Sequence, residues 1–157
     1  MIFLTVGTQL PFDRLVAAVD EWAATGGVPV FAQTAAGKYR PRHCEHADYV
    51  PPSLADDLFR KADLIVSHAG MGSILTALKY RKRILILPRK AALGEHRNEH
   101  QLATARWLGR KPGVFVAHET DDVTRLLSAR DVLETGDCIG DYADPALLAR
   151  LRDFVSR

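Results

Sequence analysis

The sequence predicts an α/β fold in which helices cover both faces of a parallel sheet of the Rossmann type. Short apolar segments of strand length alternate along the chain with segments whose apolar residues recur at helical spacing. This alternation is typical of a parallel sheet that is buried on both faces. The chain has 157 residues, which is enough for one domain with a proper core. We therefore expect a single domain over residues 1–157.

The first part of the chain predicts three strands and two helices. A proline is favoured in the first turn of a helix and the pair Gly26-Gly27 ends one, which together define the first helix. Ser53 is a typical N-cap residue for the second helix. In chain order the predicted elements are a strand at 1–6, a helix at 11–24, strands at 28–33 and 47–50, and a helix at 53–61.

The second part continues the same alternation and ends in an amphipathic helix. The predicted elements are strands at 64–66, 83–87 and 114–116, and helices at 74–80, 95–108 and 121–129. A last helix, at about 144–156, carries Leu147, Leu148, Leu151 and Val155 on one side. Such a helix either packs on its own domain or docks on a second chain, and the pattern is compatible with both.

The segment Ser67-His-Ala-Gly-Met-Gly-Ser73 joins the predicted central strand to a helix. We expect Gly70 and Gly72 to adopt φ values that other residues avoid, and Ser73 to cap the helix that begins near Ile74. Unpaired N–H groups at a helix N-terminus attract anions, so this turn, with His68 and Met71, is a candidate diphosphate site of a sugar-nucleotide enzyme. The alternative is that the glycines only form the corner. The dinucleotide fingerprint does not fit, because a third glycine is missing.

Two other segments follow predicted strands and are expected to meet the same site. Gly7, Thr8 and Gln9 come directly after the first strand, and the loop that begins at Arg89 comes after the fifth. Ligands of parallel α/β sheets bind at the carboxyl ends of the strands. The three segments are therefore predicted to converge on one crevice.

The polar segment Glu95-His-Arg-Asn-Glu-His-Gln101 allows two functional interpretations. Asn98, His100 and Gln101 can form hydrogen bonds with sugar hydroxyls at the start of a helix. The H-x-x-E-H spacing of His96, Glu99 and His100 is also that of inverted zinc peptidases, although a third ligand on another element is not evident. A solvated helix end without a ligand is the third possibility.

Composition excludes several classes of protein. A net charge of +2 does not indicate a nucleic-acid partner. Cys44 and Cys138 are too few for a disulfide framework or a zinc site, and no secretory signal or spanning segment is evident. These features favour a cytoplasmic location.

The two polar segments together resemble the C-terminal, donor-binding half of the GT-B glycosyltransferases, of the family 28 type. Ser67-His-Ala-Gly-Met-Gly-Ser73 followed by Asn98-Glu-His-Gln101 is similar to the small catalytic subunits of split UDP-GlcNAc transferases of the dolichol pathway. It is also similar to PssE-like subunits of bacterial exopolysaccharide and capsule glycosyltransferases. The opening Phe3-Leu-Thr-Val-Gly-Thr-Gln9 fits the same family, so the resemblance covers roughly residues 1–130.

The resemblance implies roles for the matching positions. The backbone around Gly70 and Gly72, with His68 and Ser73, would hold the donor diphosphate, and a protonated His68 would act as the catalytic residue that stabilises the leaving group. Related enzymes place a ribose-binding carboxylate three residues after the serine, where this chain has Thr76. The implied diphosphate-binding residues are Gly7, Thr8, His68, Gly70, Met71, Gly72 and Ser73, and the donor-sugar residues are Lys90, Glu95, Arg97, Asn98, His100 and Gln101.

The resemblance also implies an activity and a partner. The chain would be a subunit of an inverting glycosyltransferase that uses a UDP-sugar and needs no metal or other cofactor. A separate, membrane-anchored chain would bind the acceptor, a lipid-linked saccharide, at the inner face of the plasma membrane for exopolysaccharide or capsule synthesis. Lys90 and Arg97 would pair with a uronate carboxylate, which slightly favours UDP-glucuronate. N-acetylglucosaminyl transfer is an alternative, and Thr76 leaves open a non-catalytic enhancer or scaffold subunit.

Overall fold

A six-stranded parallel sheet forms the centre of the computed structural model, which describes residues 1–136, 138–140 and 142–156. Of the predicted domain, Asp137, Asp141 and Arg157 lie outside the described residues. The prediction of a parallel α/β sheet is confirmed. The strands are β1 (Ile2–Thr5), β2 (Val30–Gln33), β3 (Glu45–Ala47), β4 (Leu64–His68), β5 (Arg83–Leu87) and β6 (Val114–Val116).

Helices pack on both faces of this sheet because alternate strand residues point to opposite sides. Leu4, Val66 and Leu85 belong to the buried cluster that includes α1 and α5. Phe3 and Ile65 belong to the opposite cluster, with α2, α3 and α4. The helices are α1 (Asp13–Ala23), α2 (Pro52–Lys61), α3 (Met71–Lys79), α4 (His100–Leu108), α5 (Thr120–Ser128) and α6 (Pro145–Val155).

The strand order creates a crevice between β1 and β4. The order is β3-β2-β1-β4-β5-β6, so the chain first extends the sheet on one side of β1 and then returns to its other side. Thr5 of β1 lies opposite Ser67 of β4, which puts the ends of both strands side by side. Connections leave in opposite directions at such a switch point, and ligands bind there in open α/β sheets.

Several predicted boundaries differ from the structure, and those of β3 and α2 differ for a local reason. The strand predicted at 47–50 lies at Glu45–Ala47, where it pairs with β2. This three-residue edge strand is mostly exposed and lacks the apolar alternation that marks a strand in sequence. Helix α2 begins at Pro52, with Pro51 as its N-cap, so Ser53 lies within the first turn.

The C-terminal helix α6 forms as predicted and buries none of its residues. The Asp144 side chain caps it by accepting a hydrogen bond of 2.7 Å from the Ala146 N–H group. The exposed fractions of Leu151 and Phe154 are 50% and 77%, so the apolar side stays largely uncovered. No helix within residues 1–136, 138–140 and 142–156 is long and apolar enough to cross a membrane.

Candidate functional site

A cavity of about 460 Å³ lies at the ends of β1 and β4. Its volume is within the range of roughly 300–1,000 Å³ that is typical of small-molecule sites. All three segments predicted to converge contribute to its wall, together with the end of β2. The lining residues are Thr5, Val6, Gly7, Thr8, Gln9, Leu10, Gln33, His68, Gly72, Ser73, Arg89, His96 and Gln101.

The N-terminus of α3 presents unpaired amides beside this cavity. The helix begins at Met71, and Gly70, with φ −90° and ψ 133°, is its N-cap without a side-chain hydrogen bond. The first helical bond runs from the Ile74 N–H group to the Gly70 carbonyl, at 3.2 Å. Ser73 therefore lies in the first turn and does not cap the helix, contrary to the prediction. Within the described chain, the three preceding N–H groups, at 71–73, have no hydrogen-bond acceptor.

Gly70 is required because a side chain would not fit there, and neither Gly70 nor Gly72 has an unusual φ value. A Cβ atom on Gly70 would lie 2.1 Å from His68 Nε2, so a side chain is excluded there. Gly7 has a φ of +78°, and a Cβ atom there would lie 2.9 Å from His68 Cε1. Gly72 is helical, and a Cβ atom would meet nothing within 4 Å. The predicted positive φ thus occurs at Gly7, not at Gly70 or Gly72.

Hydrogen bonds fix the imidazole of His68 between the two central strands. The Ser67 hydroxyl donates to the Thr5 carbonyl at 2.8 Å, and its oxygen lies 3.3 Å from His68 Nδ1. Because the hydroxyl proton is already used, Nδ1–H is the donor in the second contact. For a neutral ring this assignment leaves Nε2 unprotonated.

His68 is neutral in the free chain, in contrast to the protonated imidazole that we expected. Burial and the nearby positive charge of Arg89 lower the His68 pKa from 6.5 to about 4. The nearby backbone of Thr5 opposes this lowering of the pKa, and His96 adds to it slightly. The permanent positive charge at the cavity is therefore not that of His68.

Arg89 carries that charge, although the sequence indicated only that a loop expected at the site begins there. Its side chain is 2% exposed, and its Nη2 atom donates to the carbonyls of Val6 at 2.8 Å and Leu10 at 2.7 Å. The guanidinium lies 5.1 Å from the centre of the Phe12 ring. The available signal was its position directly after a buried strand and Pro88, at the carboxyl edge of the sheet.

Gln33 and His96 also line the cavity without having been assigned to it. Gln33 ends β2, is 4% exposed, and its amide oxygen accepts a hydrogen bond of 2.8 Å from the Thr5 hydroxyl. The position of Gln33 at a strand end was the usable signal. His96 appeared in the sequence only as a candidate zinc ligand.

Six of the predicted site residues line the cavity: Gly7, Thr8, His68, Gly72, Ser73 and Gln101. Gln101 is 8% exposed, and its amide oxygen accepts the Arg89 N–H group at 3.1 Å. Gly70 and Met71 are adjacent to the lining, at the start of α3.

The remaining predicted residues make other contacts. The Thr76 hydroxyl donates to the Gly72 carbonyl at 2.8 Å, and Lys90 Nζ forms an ion pair with Glu119. Glu95 is bound by Arg14 through contacts of 2.7 and 2.8 Å. The other three, Arg97, Asn98 and His100, are exposed and outside the lining.

The Glu95–Arg14 pair explains why α4 starts later than predicted. The Glu95 carboxylate also accepts the Lys90 N–H group at 2.9 Å, so the segment before α4 is folded as a loop. His96 lies in this loop and His100 begins α4, so the two rings do not share one helical face. The part of the chain that is described has no cluster of three His, Cys, Asp or Glu side chains suited to a metal ion. The zinc peptidase interpretation loses its geometric basis.

The charge state of His68 has a measurable consequence for stability. The pKa of His68 is about 4 in the folded chain and 6.5 in the unfolded chain. Between pH 4 and pH 6.5 the unfolded chain therefore binds one more proton than the folded chain. The neutral His68 thus contributes about 3 kcal/mol to the free energy of unfolding. This contribution is complete above pH 6.5, falls as the pH drops, and is lost near pH 4. Urea denaturation at pH 7 and pH 4 should show a smaller loss of stability for His68→Gln than for the wild type. Equal losses would contradict the neutral assignment.

Comparison with known proteins agrees with this architecture. The chain is 29% identical over 126 residues to the UDP-N-acetylglucosamine transferase subunit ALG13 of Homo sapiens, covering 73% of this chain and 11% of that protein. It is 27% identical over 139 residues to the ALG13 subunit of Yarrowia lipolytica, covering 78% of this chain and 67% of that one. The chain thus spans about a tenth of the human relative and two thirds of the yeast one.

Solved structures share the fold at lower identity. The NMR structure of ALG13 has a TM-score of 0.56 at 18% identity, over 96% of this chain and 93% of that one. Acinetobacter baumannii MurG has a TM-score of 0.61 at 16% identity, over 82% of this chain and 40% of that one. The family model of the glycosyltransferase family 28 C-terminal domain matches residues 1–117. The chain therefore belongs to the glycosyltransferase family 28 C-terminal domain family.

Proposed function

We propose that this chain is the donor-binding subunit of an inverting glycosyltransferase and that its cavity binds the diphosphate of a UDP-sugar. The observation that carries the proposal is the set of unpaired N–H groups at 71–73, which lie beside a cavity at the switch point. Their partial positive charges suit a diphosphate, and the buried charge of Arg89 adds to them. Membership in family 28 and relatives named as UDP-N-acetylglucosamine transferase subunits support the same conclusion.

These groups would act on the leaving group during transfer. Negative charge grows on the diphosphate as its bond to the sugar breaks, and donors already in place stabilise it without reorganisation. Neither this binding mode nor the displacement requires a metal ion. Removing one such donor typically slows a reaction by about 100- to 1,000-fold.

The identity of the donor sugar is best approached through the relatives. The preference for UDP-glucuronate was based on Lys90 and Arg97, but Lys90 is paired with Glu119 and neither residue lines the cavity. Gln101 remains at the cavity as a neutral hydrogen-bonding group, and its side chain suits hydroxyl or acetamido groups. We therefore propose UDP-N-acetylglucosamine as the first donor to test, with UDP-glucuronate as its comparison.

A second chain would supply the acceptor site. The acceptor hydroxyl needs a base, and no carboxylate occurs among the described residues that line the cavity. The relatives are named as subunits, and the exposed apolar side of α6 offers an area for a partner to cover. We propose a membrane-anchored partner that binds a lipid-linked saccharide at the inner face of the plasma membrane, for exopolysaccharide or capsule synthesis.

The nucleotide proposal is tested by calorimetric titration of the whole chain with UDP, UDP-N-acetylglucosamine and UDP-glucuronate. We expect UDP to bind, and His68→Ala to weaken this binding by about tenfold or more because one wall of the cavity is lost. Gln101→Ala should change the relative affinities of the two UDP-sugars more than that of UDP. His43→Ala, an exposed histidine outside the cavity, is the matched control. No UDP binding, with or without the partner, would contradict the proposal.

The partner proposal is tested by coexpression with a membrane-anchored chain that resembles an N-terminal GT-B half. The double variant Leu151→Glu, Phe154→Glu places charges on the exposed side of α6 and should prevent copurification while leaving UDP affinity unchanged. The matched control is Arg150→Glu on the same helix. Copurification of the double variant at the wild-type level would contradict docking on α6.

A further inference from the structure

Arg89 has an unusual set of partners for a buried cation. Its side chain is 2% exposed, yet among the described residues Nη2 bonds only to the backbone carbonyls of Val6 and Leu10. Nε is buried without a partner, and Nη1 has no hydrogen-bond acceptor among the described residues. The guanidinium therefore has unused donors at the wall of the cavity.

No carboxylate neutralises Arg89 by direct contact within the described chain. The nearest acidic influence is Glu95, but both of its oxygens are bound by Arg14, and one also accepts the Lys90 N–H group. Burial lowers the pKa of Arg89, and the charge of Glu95 only opposes this effect. Burying a charge without a paired counterion is costly, so the free chain holds an uncompensated positive charge here.

The same side chain fixes the loop that closes the cavity. Val6 and Leu10 flank the segment Gly7-Thr8-Gln9, and both of their carbonyls are held by one nitrogen of Arg89. The side-chain oxygen of Gln101 accepts a hydrogen bond from the backbone N–H group of Arg89, which links α4 to the same loop. Charge and loop geometry at the cavity therefore depend on one residue.

We propose that Arg89 is a positioning residue that makes the cavity select a diphosphate-bearing nucleotide over the uncharged nucleoside. Its fork of donors holds the loop from Val6 to Leu10 in place, and its positive charge is balanced by the bound anion. This inference rests on the proposed function, which it deepens by naming the source of the charge. It makes Arg89, rather than a protonated His68, the source of positive charge at the cavity.

The inference is tested by measuring the dissociation constants of UDP and uridine for wild type, Arg89→Gln and Arg89→Lys by ligand-observed NMR titration. Glutamine removes the charge, and because its amide is two bonds shorter than Nη2 it also removes the donor to the loop carbonyls. We expect Arg89→Gln to weaken UDP binding by about 10- to 100-fold and uridine binding by much less, because both ligands lose the ordered loop but only UDP loses the balancing charge. Arg110→Gln, at an exposed site after α4, is the matched control and should leave both constants unchanged.

The ratio of the two constants separates a charge effect from a purely structural one. Equal weakening of UDP and uridine in a folded Arg89→Gln variant, or no weakening of UDP, would overturn the inference. If that variant does not fold, Arg89→Lys still decides, because lysine keeps the charge and should retain the preference for UDP within about threefold. Loss of the preference in Arg89→Lys would contradict the inference. A wild-type chain that does not bind UDP would instead overturn the proposed function itself.

Discussion

The close contact between the His68 imidazole and two glycines organises the candidate site. A Cβ atom on either Gly7 or Gly70 would lie within 3 Å of the ring, so both positions must lack a side chain. Gly7 follows β1 and Gly70 follows β4, and the ring between them joins the two ends into one wall. The switch point of the sheet brings these ends together, and the ring then closes the space between them. The start of α3 and its free amides follow directly from this arrangement.

The electrostatics of the cavity depend on the same packing. An imidazole held in this confined position is desolvated and neutral at physiological pH, because its pKa falls to about 4. The neighbouring guanidinium of Arg89 contributes to that shift and supplies a charge that does not titrate in this range. Free backbone amides and one permanent cation therefore face the cavity, while His68 contributes shape and a hydrogen-bonding nitrogen. This division of roles suits an anionic ligand that enters a preorganised site.

Local patterns in the sequence were sufficient for the sheet and for the position of the site. Apolar runs such as the one in β4 are buried on both faces, and this leaves a strong signal. The position of the site could also be predicted, because parallel strands bring the segments that follow their carboxyl ends to one edge of the sheet. The predicted position of the short edge strand β3 was wrong by two residues at its start, because exposed polar residues leave no periodic signal.

The charge states and partners of the site residues could not be predicted from the neighbouring sequence. Glu95 resembled a sugar-binding residue in a helix, but a pair with Arg14, 81 positions away, holds it in a loop. In the sequence Arg89 was only the first residue of a loop after a strand, and the fold reveals that Phe12 and two carbonyls enclose it. The burial of His68 likewise arises in part from Gly7, which follows the carboxyl end of a different strand, 61 positions earlier in the chain. Such long-range contacts decide which ionisable groups are charged.

The account is tested most directly by mapping UDP onto the chain with backbone amide shifts in a ¹H–¹⁵N NMR titration. It predicts that the largest shifts occur at the amides of Gly7, Met71, Gly72 and Ser73, because these groups surround the cavity. Saturable shifts confined to other surfaces, such as the basic loop at 38–43 or helix α6, would contradict it.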